Sequence, residues 1–291
     1  MAALEWHIVV AASRGYEPGL NAFLKSFELY HEPTKFNVHV LTLEMDITLP
    51  DWCKQFNLEW VSHPKGGRNT AWSTKIPRFK YGAELDGVVM LADADMFFCA
   101  NVDNWFRIAE TGIIVAGSNG SNVRYHKGWR DKYKLEVPDF FNYKTICSVP
   151  TVLRTDLHKD VWLDLYKHKM PGGEGADFDL QNIFMTIHKK QPSILALPSQ
   201  QTTGIHHFML KPDTRAIRVE DRLMTRDGLP IYLVHGKWWQ TPWREDLMRK
   251  MTKYCKENES CIKGASASVG ILYDEFLKYS EQPGAGRLKC N

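Results

Sequence analysis

The chain has 291 residues, 44% of them hydrophobic and 12% aromatic, with 37 basic side chains against 34 acidic ones and a formal charge of +3. That length fits one large α/β domain or two small ones, with ample material for a core. Charges are spread along the chain without a block of one sign, so neither a charged tail nor a nucleic-acid partner is expected.

The N-terminal apolar run, Ile8 to Ala12, is too short for a signal segment or a membrane span. A cytoplasmic protein without integral membrane association is therefore expected. The six cysteines, at positions 53, 99, 147, 255, 261 and 290, contain no CxxC pair. Cys99 and Cys147 sit among apolar neighbours, where free thiols usually lie. Cys255 and Cys261 are near enough in sequence to be bridged, but in a reduced compartment free thiols are the expectation. Most of the ten tryptophans should be core, and any that are exposed would suit stacking on sugar rings or bases.

In chain order, "WHIVVAA" (6 to 12) reads as a buried strand. The stretch 18 to 30 carries Leu20, Phe23, Leu24 and Phe27 at helical spacing. A strand follows at 36 to 43, then a short helix near 50 to 56, a strand near 58 to 62 and a helix around 73 to 85. The run "GVVML" then leads into Asp93-Ala94-Asp95. The alternation predicts a parallel sheet flanked by helices over about the first hundred residues, with ligands bound at the carboxyl ends of the strands. The loop after Ala12 and the Asp93-Ala94-Asp95 turn both belong on that edge.

Beyond residue 116 the pattern loosens into a tract rich in Gly, Asn and charge, "GSNGSNVRYHKGWRDKYK", read as a surface excursion. A strand is expected near 145 to 153 and a helix near 156 to 168. Another helix should start around Asp177 or Asp179, with acid at its N-terminus as the macrodipole favours. The strand "IYLVHG" (231 to 236) ends at His235, and the amphipathic stretches 243 to 257 and 270 to 281 follow. The expected architecture is an α/β domain over 1–243 with a helical C-terminal extension over 244–291.

Two carboxylates one residue apart, at the end of a buried strand, repel each other and resist desolvation unless something compensates them. On a turn outside a parallel sheet, Asp93 and Asp95 can point the same way and chelate a hard divalent cation, Mn²⁺ or Mg²⁺. The competing reading is a solvated turn with Asp95 as a helix cap. His235 also ends an apolar strand, and an imidazole suits a mixed oxygen and nitrogen site.

With these residues in place, the chain resembles a GT-A-fold, metal-dependent glycosyltransferase: a Rossmann-like, mostly parallel sheet flanked by helices. In motif order it is most similar to glycosyltransferase family 8, the glycogenin and lipooligosaccharide galactosyltransferase family. Four stretches carry the resemblance: "VVAASRGYEPGLNAFLKSF", "IPRFKYGAELDGVVMLADADMFF", "DFDLQN" and "HGKWWQTPW". The last pairs His235 with Pro242 and Trp243 at the family spacing.

The resemblance implies a division of labour. Asp93, Asp95 and His235 would hold the metal. Arg78, with Lys75 or Lys237, would set positive charge against the donor phosphates. Tyr16 would stack on the base, with Ala11, Ala12 and Ser13 in the nucleotide loop and Ala94 between the two acids also at the donor. Asp177 and Asp179 would face the donor sugar, as catalytic candidates, orienting hydroxyls or supporting an oxocarbenium-like centre. The implied activity is transfer of a hexose from a nucleotide-sugar, a UDP-sugar first, to a hydroxyl of a glycan or glycoconjugate acceptor, with retention. An inverting enzyme of the same fold would use Asp177 or Asp179 as general base. A metal-dependent phosphohydrolase is a competing reading, because it too uses DxD. A catalytically silent glycan binder presenting Trp129, Trp238 and Trp239 is another. The loops 117–134 and 202–215 are the expected walls of the acceptor site.

Overall fold

The computed structural model describes residues 3–62, 67–122, 144–168, 176–189, 193–202, 215–256 and 258–280. Strand β1 (Trp6–Ser13) is buried almost throughout, as a central strand covered on both faces must be. Helix α1 (Glu17–Tyr30) follows, with Pro18 and Glu17 in its first turn, where a missing N–H and a negative charge are both tolerated. Its Leu20, Phe23, Leu24 and Phe27 form one buried stripe against the sheet.

Strands β2 (Asn37–Leu43) and β3 (Cys53–Asn57) come next, then helix α2 (Thr70–Glu84) and strand β4 (Val88–Asp93). Asn69 caps α2 by accepting from the Trp72 N–H at 2.9 Å. Strand β5 (Met96–Phe98) and helix α3 (Asp103–Glu110) lead to the long strands β6 (Ile114–Asn122) and β7 (Lys144–Arg154). Helices α4 (Thr155–Lys167) and α5 (Ala176–Lys189), strand β8 (Ile194–Leu197) and the short helix α6 (Ser199–Thr202) follow. The hairpin β9 (Ala216–Val219) and β10 (Arg222–Thr225), strand β11 (Leu233–His235), and helices α7 (Thr241–Tyr254) and α8 (Glu259–Ser280) complete the order.

The main sheet runs β3-β2-β1-β4-β7-β6-β8. Its first four members pair in parallel, as the alternating pattern predicts, whereas β7 runs antiparallel to both β4 and β6. The parallel register sets Ala11 beside Asp93, so the end of β1 and the first acid of the turn share one edge of the sheet. A separate antiparallel ribbon pairs β11 with β5, setting His235 opposite Met96. That ribbon carries the histidine, from well over a hundred positions away, to the residue next to Asp95.

Two apolar clusters hold the arrangement. The larger one fills both faces of the main sheet. The second joins Ala22 of α1 and Phe97 of β5 to Val234, Trp238, Leu247, Leu272 and Phe276, and so seats α7 and α8 behind the ribbon. Each such large side chain, fully buried, contributes roughly 1.5–3 kcal/mol.

Several local expectations are corrected. The helix expected at 50 to 56 is instead the edge strand β3, and the strand expected at 58 to 62 has only the isolated bridge of Ser62 to Arg68. The excursion expected after 116 begins as strand, since β6 continues to Asn122. Cys255 and Cys261, expected to be free, form a disulfide. The turn between α7 and α8 brings their Cα atoms to 5.5 Å, within the range that a disulfide spans without backbone movement. Among the described residues, Cys53, Cys99 and Cys147 stand outside any disulfide. Among the described residues, no helix is long and apolar enough to cross a membrane.

Candidate active site

Strand β4 brings a buried apolar run up to Asp93, and the chain then turns so tightly that Asp95 is followed at once by β5. The Asp95 carbonyl accepts from the Gly236 N–H at 2.8 Å, which ties the acidic turn to the end of β11. His235 Nε2 lies 2.9 Å from Asp95 Oδ1 and 3.5 Å from Asp93 Oδ2. One potential ligand atom from each of the three residues lies within 4.8 Å of the others.

Charge is managed around this group. Arg78, from α2, is 1% exposed; its Nη1 donates to Asp93 Oδ1 at 2.5 Å and to the Ala92 carbonyl at 2.7 Å. Burial would raise the Asp93 carboxyl, but the charges of Arg78, Lys75 and His235 outweigh it and hold the group well below the usual carboxylate range. For His235, burial favours the neutral ring. Asp95, by charge and hydrogen bond, and then Asp93 outweigh it and push the imidazole up to about 9. An imidazole that takes up a proton so readily marks a place where two carboxylates call for a cation.

The donor set is two hard oxygens and one imidazole, which fits Mn²⁺ or Mg²⁺. Arg78 Nε and Nη2 are buried with no hydrogen-bond partner among the described residues, so the guanidinium is committed to the acidic turn through Nη1 alone.

The other sequence-predicted residues fall as follows. Ala11, Ala12 and Ser13 end β1 and are buried, and Ala94 is buried in the turn. Tyr16 follows on the same edge. The Lys237 ammonium stands 5.2 Å from the Tyr16 ring centroid, and the Trp239 ring meets Tyr16 edge-on at 5.8 Å. Lys75 reaches the site through its charge, acting on both Asp93 and His235. Asp177 and Asp179 stand on the first turn of α5, which packs on β7, the neighbour of β4. Asp179 is half-buried, and the Asp177 side chain lies outside the described residues.

Asn182, part of the "DFDLQN" stretch, is buried and exchanges two hydrogen bonds with the backbone of Ile146 on β7, at 3.0 and 2.9 Å. Its role is to fasten α5 to the sheet. Trp238 is buried in the second cluster, which removes it as an exposed platform. Trp129 and most of the loops 117–134 and 202–215 lie outside the described residues.

Sequence reasoning missed a cavity of about 560 Å³ at the carboxyl ends of β1, β2 and β3, lined by Arg14, Glu17, Thr42, Glu44, Asp46 and Asn57. The rule that α/β sheets bind ligands at that edge covers the ends of β2 and β3 as well as β1. Applied to all three strands it would have pointed to Thr42 and Glu44.

No sequence-family model and no curated protein sequence matches the chain. Solved structures do. A galactosyltransferase, LgtC, in complex with donor and acceptor sugar analogues aligns at 18% identity over 86% of this chain and 95% of that one, with a TM-score of 0.51. An active-site mutant of LgtC aligns at 16% identity with the same coverage and a TM-score of 0.51. The apo structure of the bifunctional glycosyltransferase WbbM aligns at 11% identity over 85% of this chain and 50% of that one, with a TM-score of 0.55.

These likenesses establish the fold, an α/β architecture with a mostly parallel central sheet flanked by helices. The chain therefore shares the α/β fold of these structures and gathers two carboxylates and an imidazole at its sheet edge.

Proposed function

We propose that the chain is a metal-dependent glycosyltransferase that moves a hexose from a UDP-sugar to a hydroxyl of a glycan or glycoconjugate acceptor, with retention of configuration. The observation that carries this reading is the convergence of Asp93, Asp95 and His235 at the carboxyl edge of the sheet. The three would hold Mn²⁺ or Mg²⁺, which supplies Lewis-acid charge to a leaving diphosphate.

This chain's own groups prepare the rest. Tyr16 offers a face to the base, with the backbone of Ala11 and Ala12 and the side chain of Ser13 at the end of β1 to read its edge. The cavity beside them has room for a nucleoside. Lys75 and Lys237 add positive charge for the phosphates. Arg78 acts through Asp93, keeping that carboxylate charged and aimed, while its Nε and Nη2 have no partner among the described residues. Asp177 and Asp179, one strand removed, are the candidate catalytic carboxylates facing the donor sugar. Under inversion one of them would instead be the general base on the acceptor hydroxyl, and NMR of the product anomer separates the two courses.

A cytoplasmic location belongs to the same proposal. The Cys255–Cys261 bond stands against it, because such bonds persist in oxidising compartments. Thiol titration of the protein taken directly from cells decides the point.

The reading is tested with Asp95→Asn, which keeps the shape of the side chain and removes its charge. Wild-type protein should bind UDP when Mn²⁺ is present and slowly hydrolyse one UDP-hexose of a panel; the variant should do neither. UDP binding by Asp95→Asn at wild-type strength would overturn the proposal.

A further inference from the structure

The cation site and the Tyr16 ring are contributed by different elements, and the loop that follows His235 runs from one to the other. Gly19, in the first turn of α1, has no room for a side chain. A Cβ there would stand 2.5 Å from the Ala94 carbonyl oxygen and 2.6 Å from Cζ3 of Trp239. Three elements are thus in direct contact: the start of α1, the acidic turn, and the loop that leaves β11.

Trp239 sits in that loop four residues after His235. The loop is a folded unit: the Trp238 N–H donates to the Gly236 carbonyl at 2.9 Å and the Gln240 N–H to the Lys237 carbonyl at 2.9 Å. Its first link is the Gly236 N–H on the Asp95 carbonyl. Gly236 has φ 149°, and a Cβ on it would fall 2.4 Å from the Trp243 ring, so this path of the chain depends on glycine. From one side the Trp239 ring meets the Tyr16 ring edge-on at 5.8 Å, and from the other it packs on Phe276 of α8 with centroids 6.3 Å apart. Lys237 of the same loop stands over Tyr16.

We propose that Trp239 is a positioning residue that couples the cation site to Tyr16, so that a cation held by Asp93, Asp95 and His235 sets the Tyr16 ring for a base even when the ligand carries no phosphate. The inference rests on the donor reading above and goes beyond it. Direct contact between metal and diphosphate makes nucleotide and metal binding depend on each other in any enzyme of this kind. Coupling through Trp239 operates without that contact. By linkage, the effect of metal on the nucleoside equals that of nucleoside on the metal.

The probes are Mn²⁺ alone, UDP and uridine, titrated calorimetrically into wild type, Trp239→Leu and Gly19→Ala. The first variant removes the indole. The second keeps the indole and crowds it, and because the same Cβ also meets the Ala94 carbonyl, only a defect found with wild-type affinity for Mn²⁺ alone counts as loss of coupling. Thermal unfolding of both variants establishes that each is folded. In wild type, Mn²⁺ should tighten uridine binding about fivefold or more, the lower end of ordinary coupling between sites. In both variants that enhancement should fall to near unity, while UDP binding stays Mn²⁺-dependent through its phosphates. Equal enhancement in wild type and Trp239→Leu would overturn the inference and leave the donor reading standing, as would a variant whose only change is a lower Tm. Absence of UDP binding to the wild type with Mn²⁺ would overturn both.

Discussion

His235 and Asp95 are joined twice. The imidazole Nε2 stands 2.9 Å from the Asp95 carboxylate, and the residue after His235 donates its backbone N–H to the Asp95 carbonyl at 2.8 Å. The backbone bond fixes where the ring begins, and the side-chain bond fixes where it points. Under the proposed function, a histidine placed this way would be a preorganised ligand rather than one recruited when a metal arrives.

One consequence concerns alkaline pH. His235 is raised from 6.5 to about 9 in the metal-free protein. Its proton therefore stabilises the fold fully below pH 6.5, and that contribution is lost as pH rises through about 9. A metal must displace the same proton, so Mn²⁺ affinity should rise by about tenfold per pH unit up to that point. Denaturant melts from pH 6.5 to 9.5 with EDTA, and Mn²⁺ titrations over the same range, check both slopes. A metal affinity flat across that range contradicts the placement of His235.

On the acid side the sign reverses. His31 and His39 are buried and lowered to about 4, and His7 is lowered as well, in each case chiefly by burial. His7 Nδ1 meets His39 Nε2 at 3.1 Å, and His39 Nδ1 meets the Tyr81 hydroxyl at 2.9 Å, a chain with no place for a second charge. The unfolded chain binds protons that these rings refuse. The contribution of these rings should therefore be whole above about 6.5 and be lost as pH falls from there through about 4. A metal-free stability maximum near pH 6.5 is expected in denaturant melts, and a flat profile between 6.5 and 5 would exclude it.

Removing the guanidinium beside Asp93 should be severe. Arg78→Ala leaves a largely enclosed carboxylate without its partner, a change that costs about 3–5 kcal/mol in buried pairs. Chemical denaturation measures that loss. Arg78→Lys should recover part of the stability, since the single nitrogen Nη1 makes both the Asp93 and the Ala92 contacts and an ammonium has donors for both, but on a shorter stem. If Arg78→Ala unfolds as wild type does, the ion pair contributes nothing to the fold.

Much of the site was legible because it lies where buried strands end. Val88 to Leu91 and the stretch up to His235 announce themselves as apolar, and acids or a histidine that stop such runs stand out. The edge strand β3 did not: four of its five residues are exposed, so it carries no apolar period and its Pro-Asp opening reads as a helix start. Strand β5 is three residues long and gains its identity only by pairing with β11, far off in sequence. The Cys255–Cys261 bond depends on a turn between helices whose ends the periodicity blurs, since α8 begins at Glu259, well ahead of the expected start at 270. Arg78 is the reverse case. Its motif marked it for the donor phosphates, and only the tertiary structure places it under the acidic turn.

The most direct measurement is a calorimetric titration of wild-type protein with UDP, GDP and ADP, each with Mn²⁺ and again with EDTA. The account predicts that UDP binds when Mn²⁺ is present, that EDTA abolishes the binding, and that the other two nucleotides bind far more weakly. If no nucleotide binds with Mn²⁺, or if UDP binds as well in EDTA, the pairing of His235 with Asp93 and Asp95 serves some other purpose and the glycosyltransferase reading fails.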